Sequence, residues 1–102
     1  MTYVDYLRRV RVRAVSHEWP WLCSMAGDAA NACTGADRSA AAEHRHRLLR
    51  TIKAQLRGHT FLSSALREMR HDWPYAGADG KAIRIAWLDE QIAQAEAACT
   101  PT

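Results

Sequence analysis

The stretch Thr2-Tyr3-Val4-Asp5-Tyr6-Leu7-Arg8-Arg9-Val10-Arg11-Val12-Arg13-Ala14 decides the fold, because it reads in two ways. Val10 and Val12 alternate with arginines, as on a half-buried strand. Tyr3, Leu7, Val10 and Ala14 recur at steps of four, three and four, as on one face of a helix. The helical pattern runs the whole length and the alternation only its middle, so a helix is expected. Thr2 and Asp5, three residues apart, have the spacing of a capping box. Arg8, Arg9, Arg11 and Arg13 fall off the apolar stripe. The helix should stop near Ser16, before Trp19-Pro20, because a residue preceding proline avoids the helical region.

The same reading extends outward. Pro20 suits the first position of a second helix, with Trp21, Leu22, Met25, Ala29 and Cys33 inward and Thr34-Gly35 ending it. Gly27 inside it weakens it by roughly 1 kcal/mol relative to Ala. Asp37 caps a third helix that runs to about Arg57 and stops at Gly58, with Ala41, Leu48, Leu49, Ile52 and Leu56 on its apolar face. Thr60 caps a shorter fourth helix that buries Phe61, Leu62, Ala65, Leu66 and Met69. The stretch from His71 to Gly80, with Pro74, Gly77 and Gly80, reads as a loop. A last helix sets Ile85, Leu88, Ile92, Ala95 and Cys99 on one seam, with Trp87 beside it, and Thr100-Pro101-Thr102 should fray. The expectation is an all-α fold: a compact bundle of four to five short helices forming one domain over residues 1–102.

A chain of 102 residues is too short for two independent cores or a two-lobed nucleotide fold. Hydrophobic residues at 48% exclude an intrinsically disordered chain. No run approaches 18 uncharged apolar residues, so no membrane span is expected. The arginine-rich opening, with no apolar run after it, does not read as a secretory signal. The net charge of +3 is uneven: residues 1–58 hold ten Lys/Arg against five Asp/Glu, and residues 59–102 hold four against six. A basic front and a mildly acidic back point to a negatively charged partner, or to packing between the halves. Twelve of the fourteen basic residues are Arg, the side chain suited to bidentate contacts with carboxylate or phosphate. Nineteen alanines beside them supply a plainer account, a GC-rich coding sequence.

Motifs of known chemistry are missing. There is no glycine-rich phosphate loop and no Gly-x-Ser-x-Gly elbow. His44 and His46, two apart on a helix, point to different sides and cannot share a metal ion. Cys23, Cys33 and Cys99 are odd in number and lack Cys-x-x-Cys spacing, which fits a reducing cytosol rather than a disulfide framework. A zinc site from Cys23, Cys33 and one histidine has no support in the spacing, so no cofactor is expected. His17-Glu18-Trp19-Pro20-Trp21 is echoed by His71-Asp72-Trp73-Pro74-Tyr75. Both read as helix-to-helix corners whose aromatics staple the core, or as exposed anchors for a partner, since Trp, Tyr and Arg dominate binding hot spots. On the third helix His46, Arg50, Lys53 and Arg57 recur at steps of four, three and four, forming one basic stripe with Arg47 nearby. Such a stripe could track a phosphate backbone, meet an acidic protein groove, or be solvated surface that suits a helix C-terminus.

Three stretches resemble small uncharacterised proteins of proteobacterial phages and prophages. They are Tyr3-Val4-Asp5-Tyr6-Leu7-Arg8-Arg9-Val10 with Trp21-Leu22-Cys23, then Gly58-His59-Thr60-Phe61-Leu62-Ser63-Ser64-Ala65-Leu66, then Ala86-Trp87-Leu88-Asp89. The resemblance covers about a quarter of the chain. It implies a mobile-element setting in the bacterial cytoplasm, where many small proteins act by binding host machinery. Anti-CRISPR proteins are the best-known kind, and that expectation rests on size and setting.

The expected function is a non-enzymatic binding protein that inhibits or modulates a host protein or ribonucleoprotein complex, such as a CRISPR effector, by steric occlusion. Arg8, Arg11, His46, Arg50, Lys53 and Arg57 would steer and contact the partner, and Trp19, Trp21, Trp73 and Tyr75 would anchor it. The alternative is a basic nucleic-acid-binding accessory protein, and a virion assembly protein is a third class. No membrane partner is expected, and the reading leaves room for a homodimer.

Overall fold

The computed structural model describes residues 1–17, 22–56 and 81–99. These form four helices and, among the described residues, no strand: α1 (Tyr3–Ser16), α2 (Leu22–Asn31), α3 (Asp37–Leu56) and α4 (Lys81–Cys99). The ambiguous opening stretch is α1, and its valines settle why. A strand would place Val10 and Val12 on one face, whereas Val10 is fully buried and Val12 is 62% exposed. The capping box forms as the spacing predicts. The Asp5 amide donates to the Thr2 hydroxyl at 3.1 Å, and the Thr2 amide donates to the Asp5 carboxylate at 3.0 Å. α1 ends at Ser16, where the His17 amide bonds back to the Arg13 carbonyl.

α1 is the hub: it packs against α2 and α4 and touches α3, while α2 and α3 pack on each other. Leu7, Val10 and Ala14 fill the predicted stripe, joined by Val4 and Tyr6, while Tyr3 is only half-buried. Leu22, Met25, Ala26 and Ala29 of α2 and Ala41, Leu48 and Ile52 of α3 complete this side of the core. Removing such apolar surface from water stabilises the fold by about 25 cal/mol per Å2. The α1–α4 pair is antiparallel. Arg8 Nη2 meets Glu96 Oε1 at 2.6 Å, and Arg11 Nε meets Asp89 Oδ1 at 2.5 Å, so one helix ascends as the other descends. Both pairs are solvent-exposed, so they set register more than they add stability.

Tyr6 is fully buried, and its hydroxyl donates to the Ala26 carbonyl of α2 at 2.7 Å. Burial raises its phenol well above the ordinary value of 10.0, with Arg45 only partly offsetting this. The folded state therefore disfavours the ionised ring. Stability present below the unfolded value is lost as pH rises past about 10, by up to about 1.4 kcal/mol per pH unit. Tyr6→Phe should cost about 0.5–1.5 kcal/mol at pH 7 and remove much of that alkaline slope. Urea unfolding at pH 7 and in steps from pH 9.5 to 11 checks it; identical alkaline slopes in parent and variant would refute the Tyr6 account.

Two boundaries differ from expectation. α2 ends at Asn31 rather than at Thr34-Gly35, because the chain tightens into a turn in which the Cys33 amide bonds to the Ala30 carbonyl. Cys33 stays buried even so. Gly35 then takes a φ of +60, which an L side chain adopts only with strain. Asp37 stands inside the first turn of α3 rather than before it. Gly27 is buried in α2, and a Cβ there would lie 3.6 Å from the Arg45 guanidinium, an ordinary contact. Gly27→Ala should therefore raise stability by about 0.5–1 kcal/mol, read as a higher thermal midpoint. A lower midpoint would mean that α2 and α3 approach too closely for a methyl group.

The largest departure is on α4. The expected seam holds at Leu88 and Ala95, but Ile85 and Ile92 are only partly buried. The buried face is rotated toward Arg84, Trp87 and Gln91. The two ion pairs explain the rotation. They tie the Asp89 and Glu96 side of α4 to α1, which leaves Ile85 and Ile92 beside that joint and turns Gln91 inward. The expected helix over residues 60–69, the loop over 71–80, the stop at Gly58, both Trp-Pro corners and the frayed end lie outside the described residues, as do the side chains of Leu56 and Cys99.

Candidate functional site

α3 carries the basic stripe because its two faces have different compositions. Ala41, Leu48 and Ile52 hold one face against the core. His46, Arg50 and Lys53 lie on the opposite side and are all exposed. Among the described residues no carboxylate pairs with any of the three. Lys53 also stands in the last turn, where a cation offsets the helix dipole. The fourth member of the stripe, Arg57, lies outside the described residues, as do Trp19, Trp21, Trp73 and Tyr75.

Arg8 and Arg11 do not join this surface. Their guanidinium groups are committed to Glu96 and Asp89 on α4, and the Asp89 carboxylate holds Arg11 above its usual value. The structure thus separates the expected basic residues that it describes into a set on α1 paired with α4 and a set on α3 that, among the described residues, has no ion-pair partner.

Beside the stripe is an arrangement that spacing alone did not point to. Arg47 lies over the Tyr3 ring, 3.9 Å from its centroid. Tyr3 and Tyr6 stack at 6.4 Å, and His44 is tilted against both. His44 Nε2 is 3.2 Å from the Met1 carbonyl, so the two histidines of the pair do diverge: His44 turns into the aromatic cluster and His46 faces outward. A cleft of about 280 Å3 opens next to this cluster, lined by Tyr3, Arg47, Thr51, Gln91, Gln94 and Ala95. Burial raises the Tyr3 phenol above its ordinary value; Arg47, the Thr51 hydroxyl and Arg50 partly offset the rise. The legible signal for this site was Gln91, a polar residue three positions after Leu88 and four before Ala95, inside the apolar seam.

Among the described residues no three His, Cys, Asp or Glu side chains cluster to hold a metal. Burial pushes the Cys23 thiol up, away from the thiolate form that attacks or ligates. Cys33 is buried, donates to the Ala29 carbonyl and accepts from Arg9 at 3.2 Å. Among the described residues no helix is long and apolar enough to cross a membrane. Set against protein-family models, curated proteins and solved structures, the chain has no significant match.

Proposed function

We propose that the chain is a non-enzymatic binding protein that presents the outer face of α3 to an acidic surface of a macromolecular partner. Occupying that surface would inhibit or modulate the partner by steric occlusion. The observation that supports this reading is the exposure of His46, Arg50 and Lys53 without acidic partners among the described residues, on a helix whose other face is anchored in the core. A solvated helix usually pairs its charges three or four residues along, and this one leaves them available. The resemblance to phage-borne proteins suggests a host protein or ribonucleoprotein complex as the partner, with a CRISPR effector as the specific candidate.

Capture on the immobilised chain from a bacterial lysate, with and without nuclease and across salt steps, tests this reading. A protein complex retained after nuclease treatment, and lost when Arg50 and Lys53 are reversed in charge, supports it. Retention that vanishes with nuclease would instead identify the basic nucleic-acid-binding accessory protein. In that case log K should fall with log salt by about 0.9 per phosphate contacted.

A further inference from the structure

We propose that the cleft between α1, α3 and α4 is a binding site for a small carboxylate, held by Arg47 and Gln91. This assignment does not depend on the macromolecular partner of α3. Its first support is Gln91, which is only 9% exposed yet lines the cleft. Among the described residues nothing hydrogen-bonds its carboxamide. Its amide atoms are not sealed off by protein, so they can bond an occupant of the cleft. Water can fill that place, but three further features favour an anion.

Arg47 is the first. Its guanidinium lies over the Tyr3 ring, and among the described residues no side chain accepts from it. Stacking uses the face of the guanidinium and leaves its in-plane N–H groups available. That fork matches the two oxygens of a carboxylate. Arg50, which acts on Tyr3 along with Arg47, is the second, because it adds positive potential near the cleft. The third is the state of the remaining lining groups. The Thr51 hydroxyl donates to the Arg47 carbonyl at 3.1 Å, and the Gln94 amide donates to Glu90 at 3.3 Å. The Thr51 donor is thus used and Gln94 keeps one N–H, so Arg47 and Gln91 hold most of the donors left to the cleft.

Size and charge set the class. A cleft of about 280 Å3 falls just below the roughly 300–1,000 Å3 of drug-sized sites, so the ligand is a compact acid. One lining guanidinium neutralises one carboxylate; a phosphate dianion would want a second cation inside the cleft. The hydroxyl of Tyr3 and the carbonyl oxygens of the two glutamines can accept from a hydroxyl or ammonium on the same molecule.

The test is a titration of the full chain with sodium lactate, a monocarboxylate with a hydroxyl, at constant ionic strength, followed by NMR of the side-chain amides and the Arg47 Nε–H. Saturable shifts at Gln91 and Arg47 are expected, with His46 and Lys53 unmoved. Arg47→Lys keeps the charge on an exposed side chain and loses the fork, so it should fold normally and bind about tenfold more weakly. Gln91→Leu should weaken binding by a similar factor. Linear shifts spread over the whole basic face would overturn the site, as would unchanged affinity in Arg47→Lys. Tighter saturation by sodium phosphate would overturn the carboxylate assignment.

Discussion

Leu88→Ala is expected to cost about 2–5 kcal/mol of folding stability, the largest effect of any single truncation considered for this chain. Leu88 is fully buried at the centre of α4, and α4 packs chiefly against α1. Truncation removes the transfer energy of the side chain and leaves a cavity. Trp87 and Ala95 belong to the same buried cluster, so the cavity would open within packed core. At roughly 4–8 °C per kcal/mol for a domain of this size, the thermal midpoint should fall by about 10 °C or more. Ile83→Ala on the same helix is the control. Ile83 is 44% exposed, so its loss should change stability far less. Equal, small effects in the two variants, each under about 1 kcal/mol, would mean that α4 does not dock as described.

Reversing charge at both Arg50 and Lys53 should leave folding nearly intact and strongly weaken partner binding. Both side chains are exposed and, among the described residues, make no ion pair, so the fold draws little from them. Chemical unfolding should agree with the parent within about half a kcal/mol. Their role would lie in encounter: unpaired cations on one face raise the rate at which an acidic surface is met. Association should slow by about tenfold or more at low salt, and the salt dependence of the rate should shrink, while dissociation changes less. Reversal of Arg8 and Arg11 makes the informative contrast. Those arginines already hold Glu96 and Asp89, so reversing them places like charges together between α1 and α4. That variant should lose stability before it loses steering. If the Arg50/Lys53 variant binds the partner at the parent rate in low salt, the stripe is solvated surface and the proposed interface is elsewhere.

The sequence by itself determined that α1 is a helix, where it starts and stops, and which side of α3 is dry. Those features are local. Thr2 and Asp5 satisfy each other three residues apart, and Tyr3 to Ala14 and Ala41 to Ile52 keep helical periods that no partner is needed to reveal. The outward display of His46, Arg50 and Lys53 followed from the same period. What only the tertiary structure decided were the relations between helices. Arg8, Arg11 and the α3 arginines look alike along the chain, yet two of them meet carboxylates 88 and 78 residues away and, among the described residues, the others do not. The rotation of α4 belongs to the same kind of fact. Periodicity shows that a seam exists, but Ile85, Leu88 and Ile92 compete with Trp87, Leu88 and Gln91 for the inward direction. Packing on α1 and the two ion pairs settle that contest, and with it Gln91 is carried into the cleft beside Arg47, because burial is a property of what surrounds a side chain and not of its own identity.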